Sequence, residues 1–147
     1  DEIRNLSHEL LPTLLAKFGL FYAIQDLCEK NSNAITQFEY SSNVDLTKRY
    51  NEDYETKIYF IITELFNNIV KHSQASKVKI GLIDEKEELI ITIKDNGVGF
   101  ATNRFKKNEG FGLTQIRARI SNMTGNIIIN STLNSGTFVQ IKIPTKE

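Results

Sequence analysis

Glu64, Asn68, Lys71 and His72 fall within one short stretch, ELFNNIVKHS, interleaved with Leu65, Phe66, Ile69 and Val70. On a helix advancing about 100° per residue, these four polar side chains share roughly a quarter to a third of the circumference. Ile58, Ile62, Leu65 and Ile69 take the core-facing arc. Glu64 and Asn68 are one turn apart, so a carboxylate and an amide oxygen can point into one cavity. An amide oxygen is a hard, neutral ligand suited to Mg²⁺, which keeps several waters and takes phosphate oxygens for the rest. Lys71 and His72, a turn further on, can meet phosphate charge. The same four residues also suit an ordinary solvated helix face, and that alternative stands beside the first.

Three further clusters follow. DNGVGF sets Asp95 at the end of an apolar run, with Gly97 and Gly99 behind it. A carboxylate at a strand end can accept from an exocyclic amine such as that of adenine, and glycines let the backbone approach a ligand closely. Asp-Asn-Gly is equally a common turn. EGFGLTQI puts Gly110 and Gly112 at the mouth of a helix, where unpaired N–H groups and a partial positive charge receive phosphate. NSGTFVQI brings Gly136 and Thr137 into a strand, which in isolation reads as a hairpin turn.

The elements that must position these clusters are legible in the pattern. Residues 2–29 carry helical spacing (Ile3, Leu6, Leu10, Leu14, Leu15, Ile24, Leu27), and Pro12 and Gly19 predict a break or two successive helices. AITQFEYSS predicts a strand, NVDLTKRYNED a loop, and about Asp53 to Ser73 the strongest helix, with no Gly or Pro inside it. KVKIGLID and ELIITIKD, joined by EKE, predict a hairpin. The Gly-, Asn- and Lys-rich residues 96–112 predict irregular structure, LTQIRARISNM a helix stopped by Thr124-Gly125-Asn126, and NIIINST with GTFVQIKIP a second strand pair across LNS. The order, helix, strand, helix, two strands, loop, helix, two strands, predicts one α+β domain, a sheet with helices layered on it.

The chain has 147 residues, 40% hydrophobic and 24% charged, enough for one ordinary domain with a core. Eighteen basic and eighteen acidic residues cancel, so no global field favours nucleic acid or an anionic membrane. Cys28 is the single cysteine, which rules out an internal disulfide and a cysteine-built metal site and fits a reducing compartment. No apolar run approaches the roughly 20 residues that span a bilayer. DEIRNLSHEL has no signal-peptide layout and reads as though it begins within a helix, as in a piece of a longer chain.

Each cluster alone is modest, but their order and spacing are specific. The set Glu-x-x-x-Asn-x-x-Lys-His, Asp-x-Gly-x-Gly, Gly-x-Gly-Leu and Gly-Thr resembles the ATP-binding catalytic domain of sensor histidine kinases, within the wider Bergerat-fold (GHKL) ATPases that include gyrase, Hsp90 and MutL. The resemblance covers about residues 33–147 and implies a two-layer α/β sandwich, a mixed sheet of about five strands with about three helices, preceded by a helical remnant. It implies Mg²⁺ held by Asn68 against the ATP phosphates, with Glu64 orienting or deprotonating the attacking group. Lys71 and His72 would touch phosphates, Asp95 the adenine amine, and Thr137 the adenine, directly or through water. Gly97 and Gly99 would shape the nucleotide loop, and Gly110 and Gly112 would hinge a short lid formed by residues 101–109. Lys106 and Lys107 in that lid suit a phosphate contact and ordinary solvation equally.

LSHELLP offers His8 as a phosphoacceptor, because a histidine followed by an acid suits the reaction: Nε2 attacks phosphorus while a carboxylate holds the Nδ1 proton. The whole leading stretch, however, resembles the end of the second dimerisation helix of the kinase branch related to nitrate and cell-wall sensors. Glu2, Arg4, Leu10, Pro12, Leu15, Gly19, Leu20 and Ala23 match that pattern. The resemblance therefore divides the chain at residues 1–32 (helix end and linker) and 33–147 (catalytic domain), and places the acceptor histidine upstream of residue 1. It implies transfer of the ATP γ-phosphoryl group to histidine for relay to a response regulator receiver domain. It also implies a homodimeric parent, cytoplasmic placement of this domain within a parent that is either soluble or membrane-anchored, and no direct nucleic-acid partner. The rival readings are an ATP-binding regulatory module, an anti-sigma-type serine kinase, and a clamp-closing ATPase, for whose longer lid and transducer domain this chain has no room.

Overall fold

The computed structural model describes residues 13–99 and 113–146. Residues 13–18 are helical, and three further helices follow: α1 (Leu20–Asn31), α2 (Glu52–His72) and α3 (Leu113–Asn122). The strands are β1 (Gln37–Ser42), β2 (Lys77–Glu85), β3 (Glu88–Asp95), β4 (Asn126–Ser131) and β5 (Thr137–Pro144). They form one sheet in the order β1-β2-β3-β5-β4, with β1 parallel to β2 and the other pairs antiparallel. The mixed five-stranded sheet with helices on it is the expected α+β architecture.

Register explains which face the helices cover. Residues directly opposite one another in a sheet point to the same side. On one face, Ile80, Ile93, Val139 and Ile129 form an aliphatic rung across four strands. Leu82, Ile91, Ile141 and Ile127 form a second, and Leu89 with Ile143 carries the pattern one rung further. Phe38 and Tyr40 of β1 extend this face beside Val78 and Ile80. The opposite face shows Lys79, Lys94, Thr92, Gln140 and Lys142, as expected where only one side of a sheet is covered. At one end the aliphatic pattern stops in a polar rung: Asp95, Thr137 and Ser131 stand side by side across β3, β5 and β4.

The helices seal the aliphatic face. α2 buries Ile58, Tyr59, Ile61, Ile62, Leu65 and Phe66, and Phe66 packs on Phe38 with ring centroids 4.8 Å apart. Its start is set by Asn51, whose side chain accepts from the N–H of Asp53 at 2.9 Å. α3 contributes Leu113, Ile116 and Ile120. Leu15 and the buried residues of α1 (Leu20, Phe21, Ala23, Ile24 and Cys28) join this same core, so packing does not stop at residue 32. Burial pushes the Cys28 thiol up to about 12, which leaves it unionised at neutral pH.

The expected break at Gly19 is present: its φ of 90° separates helical residues 13–18 from α1. Pro12 lies outside the described residues. Two details differ from expectation. The first strand begins at Gln37 rather than at Ala34, because the Asn33 side chain accepts from the N–H groups of Ile35 and Thr36 and holds a turn there. The β2–β3 hairpin closes on Lys86 and Glu87, both left-handed (φ 53° and 62°), a turn geometry usually supplied by Asn-Gly.

Candidate nucleotide site

The polar rung opens into a cleft of about 100 Å³ between the sheet and the C-terminal half of α2. Leu65, Ile69, Ile93, Leu113, Ile129 and Val139 make it apolar, and Asn68, His72, Ser73, Asp95, Gly99 and Thr137 supply the polar groups. An apolar cavity with a few convergent polar groups is the usual form of a small-molecule site. At this size it takes the buried end of a ligand, such as a base, rather than a whole nucleotide.

Asp95 is the one ionisable side chain buried at the floor, 5% exposed. Its Oδ1 accepts from the Gly97 N–H at 2.8 Å. Burial pushes its carboxyl above the ordinary 3.8, while the backbone N–H groups of Gly97 and Thr137 pull it back by favouring the carboxylate. The adjacent Asn96 is a structural anchor. Its Oδ1 accepts from the N–H groups of Ser76 and Lys77, and its Nδ2 donates to Ser76 Oγ at 2.8 Å. That anchoring aims Asp95 inward. Gly97 is required for close approach, since a Cβ there would lie 2.2 Å from the Ser73 carbonyl oxygen. The Val98 N–H donates to that oxygen at 2.7 Å, tying the loop after β3 to the end of α2.

Asn68 and His72 therefore share the cleft with Asp95, Gly99 and Thr137. Glu64 and Lys71 are on exposed positions of α2, outside the cleft lining. Gly97 is buried behind the cleft, against Ser73. Gly110 and Gly112, the lid residues 101–109 with Lys106 and Lys107, and His8 lie outside the described residues. The chain leaves the described structure at Gly99 and re-enters it at Leu113, both on the cleft wall. Among the described residues no group of three or more His, Cys, Asp and Glu side chains gathers as a metal site. Asn68 is the amide side chain on the cleft lining, and an amide oxygen is a ligand type that suits a Mg²⁺ whose other ligands are phosphate and water.

Sequence reasoning missed Ser131, which is buried and hydrogen-bonds both Thr137 Oγ1 and the Gly136 carbonyl. It also missed Glu55, only 1% exposed in the first turn of α2. Glu55 holds the Arg49 guanidinium through bonds of 3.1 and 3.2 Å and accepts from the Tyr50 N–H. The available signal for Ser131 was its place opposite Thr137 in the hairpin, which depends on the loop length being right.

Comparison with known proteins agrees with this geometry. Residues 53–147 match the family described as histidine kinase-, DNA gyrase B-, and HSP90-like ATPases. The oxygen sensor histidine kinase NreB of Staphylococcus carnosus is 30% identical over 145 residues, which are 98% of this chain and 42% of that protein. This chain thus spans less than half the length of that relative. The blue-light activated histidine kinase of Erythrobacter litoralis EL346 shares the fold at TM-score 0.70 and 15% identity, covering 86% of this chain and 42% of its own. The catalytic domain of histidine kinase ThkA does so at TM-score 0.63 and 18% identity, covering 94% of this chain and 91% of its own. The family match takes in Asn68, Asp95 and Thr137 together. The chain belongs to the histidine kinase-, DNA gyrase B- and HSP90-like ATPases.

Proposed function

We propose that this domain binds ATP with Mg²⁺ and delivers the γ-phosphoryl group to a histidine for relay to an aspartate on a response regulator. The observation that carries the reading is Asp95. A carboxylate buried at the end of an otherwise aliphatic sheet face costs stability, and a donor-bearing ligand edge compensates that cost. The exocyclic amine of adenine is such an edge.

The other residues take roles that follow from position. Asn68 would hold the Mg²⁺, which when bound would neutralise phosphate charge. His72 on the cleft wall and Lys71 beside it meet phosphate charge. Glu64, one turn before Asn68, orients the attacking imidazole or takes its proton. Thr137 holds the base edge beside Asp95, and Gly97 and Gly99 keep the loop close to the nucleotide. In the transfer, Nε2 of the acceptor imidazole bonds to the γ-phosphorus, the bond from that phosphorus to the β–γ bridging oxygen breaks, and ADP leaves. Phosphoryl transfer asks the protein mainly for positioning and charge neutralisation.

The acceptor is a histidine outside residues 1–147, and residues 1–32 are the end of a dimerisation helix and its linker. The parent works as a homodimer, with this domain in the cytoplasm. Among the described residues no helix is long and apolar enough to cross a membrane. The test is calorimetry of the chain with ATP, with and without Mg²⁺. Saturable Mg²⁺-enhanced binding is expected, and no binding of ATP or ADP at millimolar concentration overturns the reading.

A further inference from the structure

The two edges of the sheet are finished differently. At β1 the Phe38 N–H donates to Ser32 Oγ at 2.8 Å, and Glu39 sets an exposed charge beside it. Both devices discourage a further strand from pairing there. β4, the opposite edge, has neither. Among the described residues, Asn126 to Asn130 make no hydrogen bond beyond those of the pairing with β5. From Gly125 to Ile141 the chain carries no charged residue at all. Alternate N–H and C=O groups of β4 therefore stand open along an edge with no charge to guard it.

The strand itself says what fits. Asn126-Ile127-Ile128-Ile129-Asn130 reads the same in both directions. In an antiparallel pair centred on Ile128, a second copy sets Ile128 against Ile128, Ile127 against Ile129, and Asn126 against Asn130. Each apolar side chain meets its own kind, and the two amides can donate to and accept from one another. Ile129 and Ile127 are half-buried and end the two aliphatic rungs of the helix-covered face. The pairing continues each rung into the other rung of the second copy, and it covers Ile128, which is 49% exposed on the open face. A charged segment of another protein finds no counter-charge along this edge, whereas an uncharged copy meets it without repulsion. We propose that β4 is a self-association edge, through which two copies of this chain pair antiparallel about Ile128 and join their sheets. With β1 closed, association stops at two copies instead of running on into a fibre. One short strand on each side buries an area at the low end of specific interfaces, so the dimer depends on concentration. The contact is separate from residues 1–32, and it leaves the two clefts on one face of the joined sheet, at opposite ends of the shared strand pair.

The experiment is sedimentation velocity over a wide range of concentration, on the wild-type chain, Ile128→Lys, Ile128→Glu and an equimolar mixture of the two variants. The wild type should show a reversible monomer–dimer equilibrium. Each variant alone sets like charges against one another at the centre of the pair, and should weaken the dimer about tenfold or more. The mixture should recover it as a heterodimer, since opposite charges rescue only a position that meets itself. Three results overturn the proposal: a wild type that stays monomeric throughout, self-association that Ile128→Lys leaves unmoved, and a mixture that fails to recombine. Circular dichroism checks that the variants fold. Should one not fold, Ile128→Cys gives a second readout, because directly opposed residues of paired strands lie within disulfide reach. Mild oxidation should then yield a covalent dimer, whereas the wild type, whose Cys28 is buried, yields none. Absence of that cross-link overturns the proposal equally.

Discussion

Gly136 lies against the backbone of Asp95 so closely that a Cβ on it would sit 2.1 Å from the Asp95 carbonyl oxygen. Its φ is 85°, a conformation that side-chain-bearing residues adopt only with strain. Gly136→Ala therefore has to move β5 away from β3 at the very rung that carries Asp95 and Thr137. We expect a loss of about 1–3 kcal/mol in unfolding free energy, with a larger proportional loss of ATP affinity. Denaturant unfolding and calorimetry on the same protein check this, and wild-type values in both would contradict the close approach.

Asp95→Ala should weaken nucleotide binding by about one to two orders of magnitude, because a base amine then enters the cleft without its acceptor, at about 1–3 kcal/mol. Calorimetry showing wild-type affinity in that variant would remove Asp95 from the site. Asp95→Asn gives a separate test through pH. Burial raises the folded-state pKa above 3.8, so the native protein holds this proton more tightly than the unfolded chain. The contribution to stability is full below 3.8 and is lost as pH rises through the raised value. The difference in unfolding free energy should shift in favour of Asp95→Asn as pH increases from about 3.8 towards neutrality. A difference that stays flat, or moves the other way, contradicts the burial argument.

Asn68→Ala should separate metal from base. The amide oxygen is lost, while Asp95 and Thr137 on the opposite wall are untouched. ATP affinities measured with and without Mg²⁺ should become indistinguishable. A preserved Mg²⁺ enhancement would mean that another group holds the ion.

Arg49 joins three parts of the chain: it pairs with buried Glu55 and donates from Nη2 to the Ala16 carbonyl at 3.1 Å. Arg49→Ala leaves Glu55 buried with the Tyr50 N–H as a remaining partner. Truncating one partner of a buried charge pair destabilises strongly, and the partial exposure of Arg49 moderates it to about 1–3 kcal/mol. Thermal unfolding should show the loss, and hydrogen exchange should rise first in residues 13–20. Protection there equal to wild type would show that the Ala16 contact holds nothing in place.

The chain of residues 1–147 should bind ATP without phosphorylating itself, since transfer needs reacting atoms held at about 3–3.5 Å in line. Incubation with γ-labelled ATP followed by an acid-lability test is the measurement. Acid-labile label that disappears in His8→Gln would make His8 the acceptor and overturn the assignment of residues 1–32.

Local patterns in the amino acids were enough to place the elements and much of the polar inventory. Helix α2 was legible because its period is local, with Ile58, Ile62 and Leu65 marking one face within a few turns, and Asn68 was legible with it. Asp95 and Thr137 stood out through glycines next to them in the chain. Which of these residues meet is a property of the folded chain. The rung Asp95–Thr137–Ser131 exists through register among three strands, and register follows from turn geometry and from burying the aliphatic rungs beneath it. The hairpin turn at Lys86 and Glu87 shows the same order of causes: nothing in those two residues asks for left-handed φ, and pairing of the long flanking strands imposes it. Glu55 was hidden for a related reason. A carboxylate in a helix's first turn ordinarily faces water and the helix dipole; Glu55 shares the stripe of Ile58 and Ile62, and the Arg49 guanidinium that pairs with it there comes from a loop the local pattern does not place.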